Sequence, residues 1–213
     1  MTINHHPDDS TLIAYAAGTL SEPFGALIAA HCELCARCRG AFARFNALGG
    51  ALMADGPEEA LDGDAFDRLL GALDSPGALS AQRSKVLNSP PEDAGDLPGP
   101  LARLIGSGLD RIAWRQALPG VGERVLAFKQ AAGAHTLQFV RGEPGTDMPD
   151  HGHVGGELTL VLRGALSDGG RIYRRGDLAD LGDVGTHNPI VHGDEPCYCV
   201  VANEAPPKFT APA

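Results

Sequence analysis

Hydrophobic periodicity changes once along this 213-residue chain, and the change restricts the fold more than any other feature. Up to residue 73 the spacing is helical. "FGALIAAHC" puts Phe24, Leu27, Ile28 and His31 on one side, and "ARCRGAFARFNALGGALM" repeats Phe42, Phe45, Leu48 and Leu52. Asp8, Asp9 and Ser10 are candidate N-caps for "TLIAYAAG", which Gly18 stops. Pro23 falls in the first turn of the next helix, where its missing N–H costs little. "DAFDRLLGAL" predicts a short fourth helix capped by Asp64. From residue 99 the segments "RIAWRQAL", "ERVLAFKQ", "HTLQFVRG", "ELTLVLRG", "GRIYRRGD" and "CYCVVAN" are short, β-rich and separated by Gly, Pro or Asp, a pattern that predicts a sandwich or barrel. Between them, residues 74–98 mix Pro, Gly, Ser and charges without sustained period, as a linker does. The expected organisation is two domains: all-α over 1–73 with four helices, a flexible linker over 74–98, and all-β over 99–213.

Composition narrows the function. The 28 glycines and 16 prolines exclude one long helical bundle. No run of 18 apolar residues occurs, and "MTINHHPDDS" lacks a signal-peptide core, so a soluble cytoplasmic chain with no membrane contact is expected. Residues 1–73 carry 4 basic and 10 acidic residues, against 11 and 13 over 99–213. Such an acidic N-terminal third would repel nucleic-acid phosphates, so no direct nucleic-acid binding is expected, but it would attract a basic protein surface. Five cysteines, odd in number and clustered, suit a reducing compartment and a metal or redox role better than a secreted disulfide framework.

"HCELCARC" sets His31, Cys35 and Cys38 at i, i+4 and i+7, one face of a continuous helix. Three such ligands need a fourth for tetrahedral zinc, and the pair His5–His6 can supply it. A structural metal would offset the weak core of a helical domain of roughly 70 residues. Cys32 falls about 100° from His31 around the helix and is a poor ligand candidate.

A second donor set follows the spacing Gly145, His151, His153, Glu157, Gly164. In an extended HxH both imidazoles leave the same side of the backbone. Imidazole with carboxylate suits Zn, Fe, Mn or Ni. This spacing matches the first cupin motif without departure. The second cupin motif is weaker. Counted from Gly176, its Pro and Gly positions fall on Gly182 and Val184 and its final Asn position on Val191, with Asn188 close by. Its histidine is retained as His187, with His192 the runner-up. Cys197 and Cys199 share one face of a probable strand at about 6.5–7 Å, near the limit for a disulfide. They are either packed core thiols or a redox or accessory pair. Trp114 reads as core, and Arg171, Arg174 and Arg175 as a solvated strand edge.

Taken together, "MTINHH", "AYAAGTLSE", HxxxCxxC, the cupin motif and Cys197-x-Cys199 resemble the ChrR-type anti-sigma factors over nearly the whole chain. The resemblance implies a zinc-binding anti-sigma domain fused to a C-terminal cupin, a double-stranded β-helix of jelly-roll type. It implies one zinc at His6, His31, Cys35 and Cys38. A second would lie at His151, His153, Glu157 and His187, where Fe or Mn would also fit. It implies a non-enzymatic regulator that sequesters an extracytoplasmic-function (group IV) sigma factor, one to one, from core RNA polymerase. Release would follow an oxidative signal such as singlet oxygen. Two other readings share these residues. One is a metal-dependent cupin dioxygenase or isomerase with an accessory zinc module, although four protein ligands close a tetrahedral zinc and catalysis needs an open position. The other is a metal-dependent small-molecule sensor acting on a different partner.

Overall fold

The structure, a computed structural model, describes residues 2–73, 90–130, 133–181 and 185–209. Most of the expected linker, residues 74–89, lies outside the described residues, as do Gly182 and Val184 of the second motif.

The N-terminal region is helical. Helix α1 (Asp9–Ala16) begins where the Asp8 carboxylate accepts the Thr11 N–H at 2.6 Å, so that side chain satisfies one otherwise unpaired donor. Helix α2 (Glu22–Leu34) has Pro23 in its first turn and buries Phe24, Leu27, Ile28 and His31. Helices α3 (Ala36–Ala54) and α4 (Ala65–Leu73) follow. The single helical face expected for His31, Cys35 and Cys38 is not continuous. Cys35 is extended (φ −110, ψ 103) and separates α2 from α3. Arg39 stabilises the break by donating to the Cys32 carbonyl at 2.8 Å and the Glu33 carbonyl at 3.2 Å, two acceptors left open at the α2 terminus. The apolar repeat along α3 is buried only at its start. Leu48 and Leu52 are exposed, and α4 buries no residue.

Residues 90–98 are ordered against the rest of the protein. Leu97 is buried, and the Asp96 carboxylate accepts from Arg163 at 3.2 Å. They lead into helix α5 (Gly99–Ile105), which sequence reading left without an element. Both Glu33 carboxylate oxygens lie 3.1 Å from the Gly99 N–H and cap it. Gly106, at φ 76, stops the helix in a left-handed conformation that a side chain would resist. A 3-10 turn (Leu109–Arg111) opens the "RIAWRQAL" segment, so its strand is confined to β1 (Arg115–Leu118).

The rest of the C-terminal region is antiparallel sheet. A six-stranded sheet has the order β1-β2-β3-β10-β5-β8, with β2 Val121–Gln130, β3 Gly133–Gly142, β5 Glu157–Arg163, β8 Leu178–Asp180 and β10 Cys197–Asn203. A three-stranded sheet pairs β7 (Arg171–Arg174), β6 (Ala165–Asp168) and β9 (Ile190–Val191), and β11 (Lys208–Phe209) pairs β4 (His151–Gly152). Period-2 alternation sends Leu137, Phe139, Leu158, Leu160 and Val200 to one face of the large sheet, where they pack with Leu27 and Ile28 of α2 in a single core. Gln138, Val140, Glu157, Thr159, Cys197 and Cys199 take the opposite face and line a cavity of about 380 Å³. Strand β5 is therefore buried on both faces, one by helix and one by cavity wall. The β5–β6 turn depends on Gly164, because a Cβ there would lie 2.5 Å from the Pro196 carbonyl oxygen.

Candidate metal centres

Four donors converge at the N-terminal side: His6 from the segment before α1, His31 from α2, Cys35 at the break, and Cys38 from the first turn of α3. Their ligating atoms all lie within 4.8 Å of one another. His6 Nδ1 is 3.4 Å from each of the Cys35 and Cys38 Sγ atoms. The fully buried His31 ring donates its Nδ1–H to the Gly176 carbonyl at 2.9 Å. That bond fixes the tautomer and leaves Nε2 as a buried lone pair with no hydrogen-bond partner among the described residues. Burial lowers His31 to about 4 and pushes the Cys38 thiol up to about 12, with Cys35 adding to the latter. Two thiols, two imidazoles and an unpartnered buried nitrogen form a donor set that a soft or borderline divalent cation satisfies. His5 faces elsewhere: its ring lies 4.4 Å from that of Tyr173, and its Nδ1 is 3.5 Å from Asp177 Oδ2. Cys32, buried nearby, lies outside the cluster.

The second cluster joins His151 of β4, His153 just beyond it, Glu157 at the start of β5, and His187. His151 and His187 exchange backbone hydrogen bonds of 3.1 and 2.9 Å, so a two-residue bridge brings both motifs together. His153 Nε2 is 2.8 Å from Glu157 Oε2 and 2.9 Å from His187 Nε2. His151 donates Nδ1–H to the Pro149 carbonyl at 2.9 Å, and His187 donates Nδ1–H to Asp168 at 2.8 Å. Both Nε2 atoms are left as lone pairs. Burial lowers His151. Burial also acts to lower His187, but the Asp168 hydrogen bond and the Glu157 charge outweigh it and raise that group. Inward lone pairs beside a buried carboxylate repel one another unless a proton or a cation lies between them, so this set also fits a metal ion.

Asp168 and Asp177, which support the candidate donors, escape sequence reading, and Gly176 enters it only as a motif glycine. Neither aspartate has a diagnostic spacing, and each meets its histidine only through the fold. The "RIYRRGD" segment is not simply a solvated edge either. Tyr173 and Asp177 are buried, and Arg175 donates to the Leu162 and Asp96 carbonyls at 2.5 and 2.6 Å. Cys197 and Cys199 are buried free thiols on the cavity wall, and neither contributes to the donor cluster. Burial pushes Cys197 up to about 12, and burial with the neighbouring Cys197 and Glu157 raises Cys199 well above its ordinary value, which keeps both thiols protonated and poorly nucleophilic.

The ChrR cupin-like domain family matches residues 105–206. Over 213 residues, 99% of this chain and 94% of the relative, the sequence is 35% identical to anti-sigma-E factor ChrR of Cereibacter sphaeroides. The chain belongs to the ChrR family. The crystal structure of Rhodobacter sphaeroides SigE in complex with the anti-sigma ChrR matches with a TM-score of 0.77 and 33% identity, covering 95% of this chain and 100% of that one. KdgF from Halomonas sp. matches more distantly, with a TM-score of 0.39 and 16% identity over 46% of this chain and 91% of that one. The ChrR cupin-like match encloses His151, His153, Glu157, His187 and the supporting Asp168 and Asp177. The His6, His31, Cys35 and Cys38 set falls outside it and is covered by the full-length relationship to ChrR. Among the described residues, no helix of this ChrR-family chain is long and apolar enough to cross a membrane.

Proposed function

We propose that this chain is a cytoplasmic anti-sigma factor. It binds one extracytoplasmic-function (group IV) sigma factor, one to one, and keeps it from core RNA polymerase. It releases that partner when an oxidative signal, such as singlet oxygen, alters the C-terminal region. The observation that carries this reading is the relationship to anti-sigma-E factor ChrR along essentially the whole of both chains.

In this reading residues 1–73 form a four-helix zinc-binding anti-sigma domain, residues 74–98 a linker, and residues 99–213 a cupin of jelly-roll type. His6, His31, Cys35 and Cys38 hold a structural zinc, and His151, His153, Glu157 and His187 hold a second zinc at the sensing end. The S2N2 donor set and its burial support zinc at the first site. The three-histidine, one-carboxylate set suits Zn, Fe or Mn at the second.

A partner surface is present on the helices. Leu48, Leu52 and Met53 of α3 and Phe66, Leu69 and Leu73 of α4 are all exposed, Met53 at 82% and Phe66 at 68%. Exposed apolar residues in this number on two consecutive helices are what a partner would cover. The nearby Glu58, Glu59, Asp62 and Asp67 suit a basic partner. Co-purification with the extracytoplasmic-function sigma factors of the source organism, followed by in vitro transcription, tests the proposal. Capture of one such factor with loss of its transcription is expected. Failure to bind any of them would sink it.

A further inference from the structure

The three consecutive residues Gly176, Asp177 and Leu178 belong to the β region, yet their polar groups hold the N-terminal metal ligands. Asp177 is 1% exposed. Its Oδ1 accepts the N–H of Asn4 at 2.7 Å and of His5 at 3.0 Å, and its Oδ2 accepts the Arg174 N–H at 2.8 Å. The Leu178 N–H donates to the His5 carbonyl at 3.2 Å. The residue immediately before His6 is thus fixed through both its N–H and its C=O. Gly176 fixes His31 through the 2.9 Å bond to its ring. Two of the four donors of the first cluster are therefore oriented by one turn, more than 140 residues away in sequence.

The same turn is tied to the second cluster by main-chain bonds. Gly176 N–H donates to the Val161 carbonyl at 2.8 Å, and Val161 N–H to the Asp177 carbonyl at 3.1 Å. Strand β8 then pairs Leu178, Ala179 and Asp180 with Leu160, Thr159 and Leu158 of β5. Leu181 N–H closes the run on the Glu157 carbonyl at 3.1 Å. Glu157 contributes its carboxylate to the second cluster. One hydrogen-bonded strand pair therefore separates a ligand of one centre from the groups that orient two ligands of the other.

We propose that Asp177 is a positioning residue that couples the two metal centres, holding the His5–His6 segment in ligating geometry only while the β5–β8 pair keeps its arrangement around Glu157. The inference rests on the ligand assignments proposed above and goes beyond them. It makes the helical centre sense the state of the distant one. Coupling of this kind is reciprocal: a change at either centre alters metal affinity at the other by the same factor. Groups that orient a ligand without touching the metal typically change affinity on the order of 10–100-fold when removed.

The test uses the full chain loaded with zinc and follows release to a chromogenic chelator. The N-terminal phase is identified as the one missing in Cys38→Ala. Asp177→Ala should accelerate that phase on the order of 10–100-fold. Asp177→Asn, which keeps the Oδ1 acceptor, should fall between it and the parent. Thr11→Val removes a different bond between the same regions, from Thr11 Oγ1 to Asp180 Oδ2 at 3.1 Å, and should leave the phase unchanged. His153→Ala, which disables the second centre, should accelerate N-terminal release in the parent and add less in the Asp177→Ala background, where only the Gly176–His31 bond still joins the turn to the donors. Three results would each overturn the coupling: parental release from Asp177→Ala and Asp177→Asn, equal acceleration by Thr11→Val, or the same His153→Ala effect in both backgrounds. A parent chain that binds one equivalent, unaffected by Cys38→Ala, would instead overturn the N-terminal ligand assignment itself, and the coupling with it.

Discussion

His153 Nε2 and His187 Nε2 lie 2.9 Å apart, and Asp168 accepts the far-side proton of His187 at 2.8 Å. The carboxylate thus decides which imidazole nitrogen faces the cluster. Asp168→Ala frees the tautomer and should weaken metal binding at this centre on the order of 10–100-fold, read by chelator competition. Binding as tight as the parent's would remove Asp168 from the site.

Glu33 joins the end of α2 to the start of α5 through its carboxylate on the Gly99 N–H. Glu33→Ala should cost about 0.5–2 kcal/mol, the range for losing a side-chain cap. Glu33→Gln, which keeps one acceptor, should cost less. Denaturant midpoints of the metal-loaded proteins measure the difference, and equal midpoints for Glu33→Ala and parent would show that the cap contributes nothing.

Leu27 is fully buried between α2 and the large sheet. Leu27→Ala should destabilise the protein by about 2–5 kcal/mol through lost burial and the cavity left behind. Because the core is shared, far-UV circular dichroism and the fluorescence of Trp114, the lone tryptophan, should shift together. A shift confined to the helical signal would mean the two regions unfold independently.

Phe66 and Leu69 of α4 project into solvent. Phe66→Asp and Leu69→Asp should leave stability within about 0.5 kcal/mol, as exposed substitutions do. Each should weaken sigma-factor binding by about tenfold or more if these side chains are buried in the complex. Calorimetric titration against the captured sigma factor provides the measurement. Unchanged affinity in both would move the interface elsewhere.

Much of this arrangement is legible in the sequence. Asp8 marks the start of the first helix and Pro23 the first turn of the second, and the β-rich runs "ELTLVLR" and "CYCVVAN" mark the central strands. Both donor sets stand out because ligand spacing is a local property. The break at Cys35 was not legible, since "CELCARC" has no Gly or Pro and the turn is held by Arg39 reaching back to Cys32 and Glu33. Helix α5 was obscured by the Pro-rich run before it, although Gly106 is an ordinary helix stop. Asp168 and Asp177 act on residues 19 and more than 170 positions away. No periodicity encodes a meeting of that kind.

The bond from His31 to Gly176 spans 145 residues, and the strands that cover Leu27 and Ile28 also come from the far end of the chain. At translation rates of about 5–20 residues per second, His31 is synthesised roughly 7–30 s before its acceptor. During that interval α2 packs against α1 and α3, but the side that meets β5 and β10 has no strand to cover it. Completion of the core around α2 and the seating of His31 therefore wait for the β region, so the helices assemble before their ligand geometry is fixed.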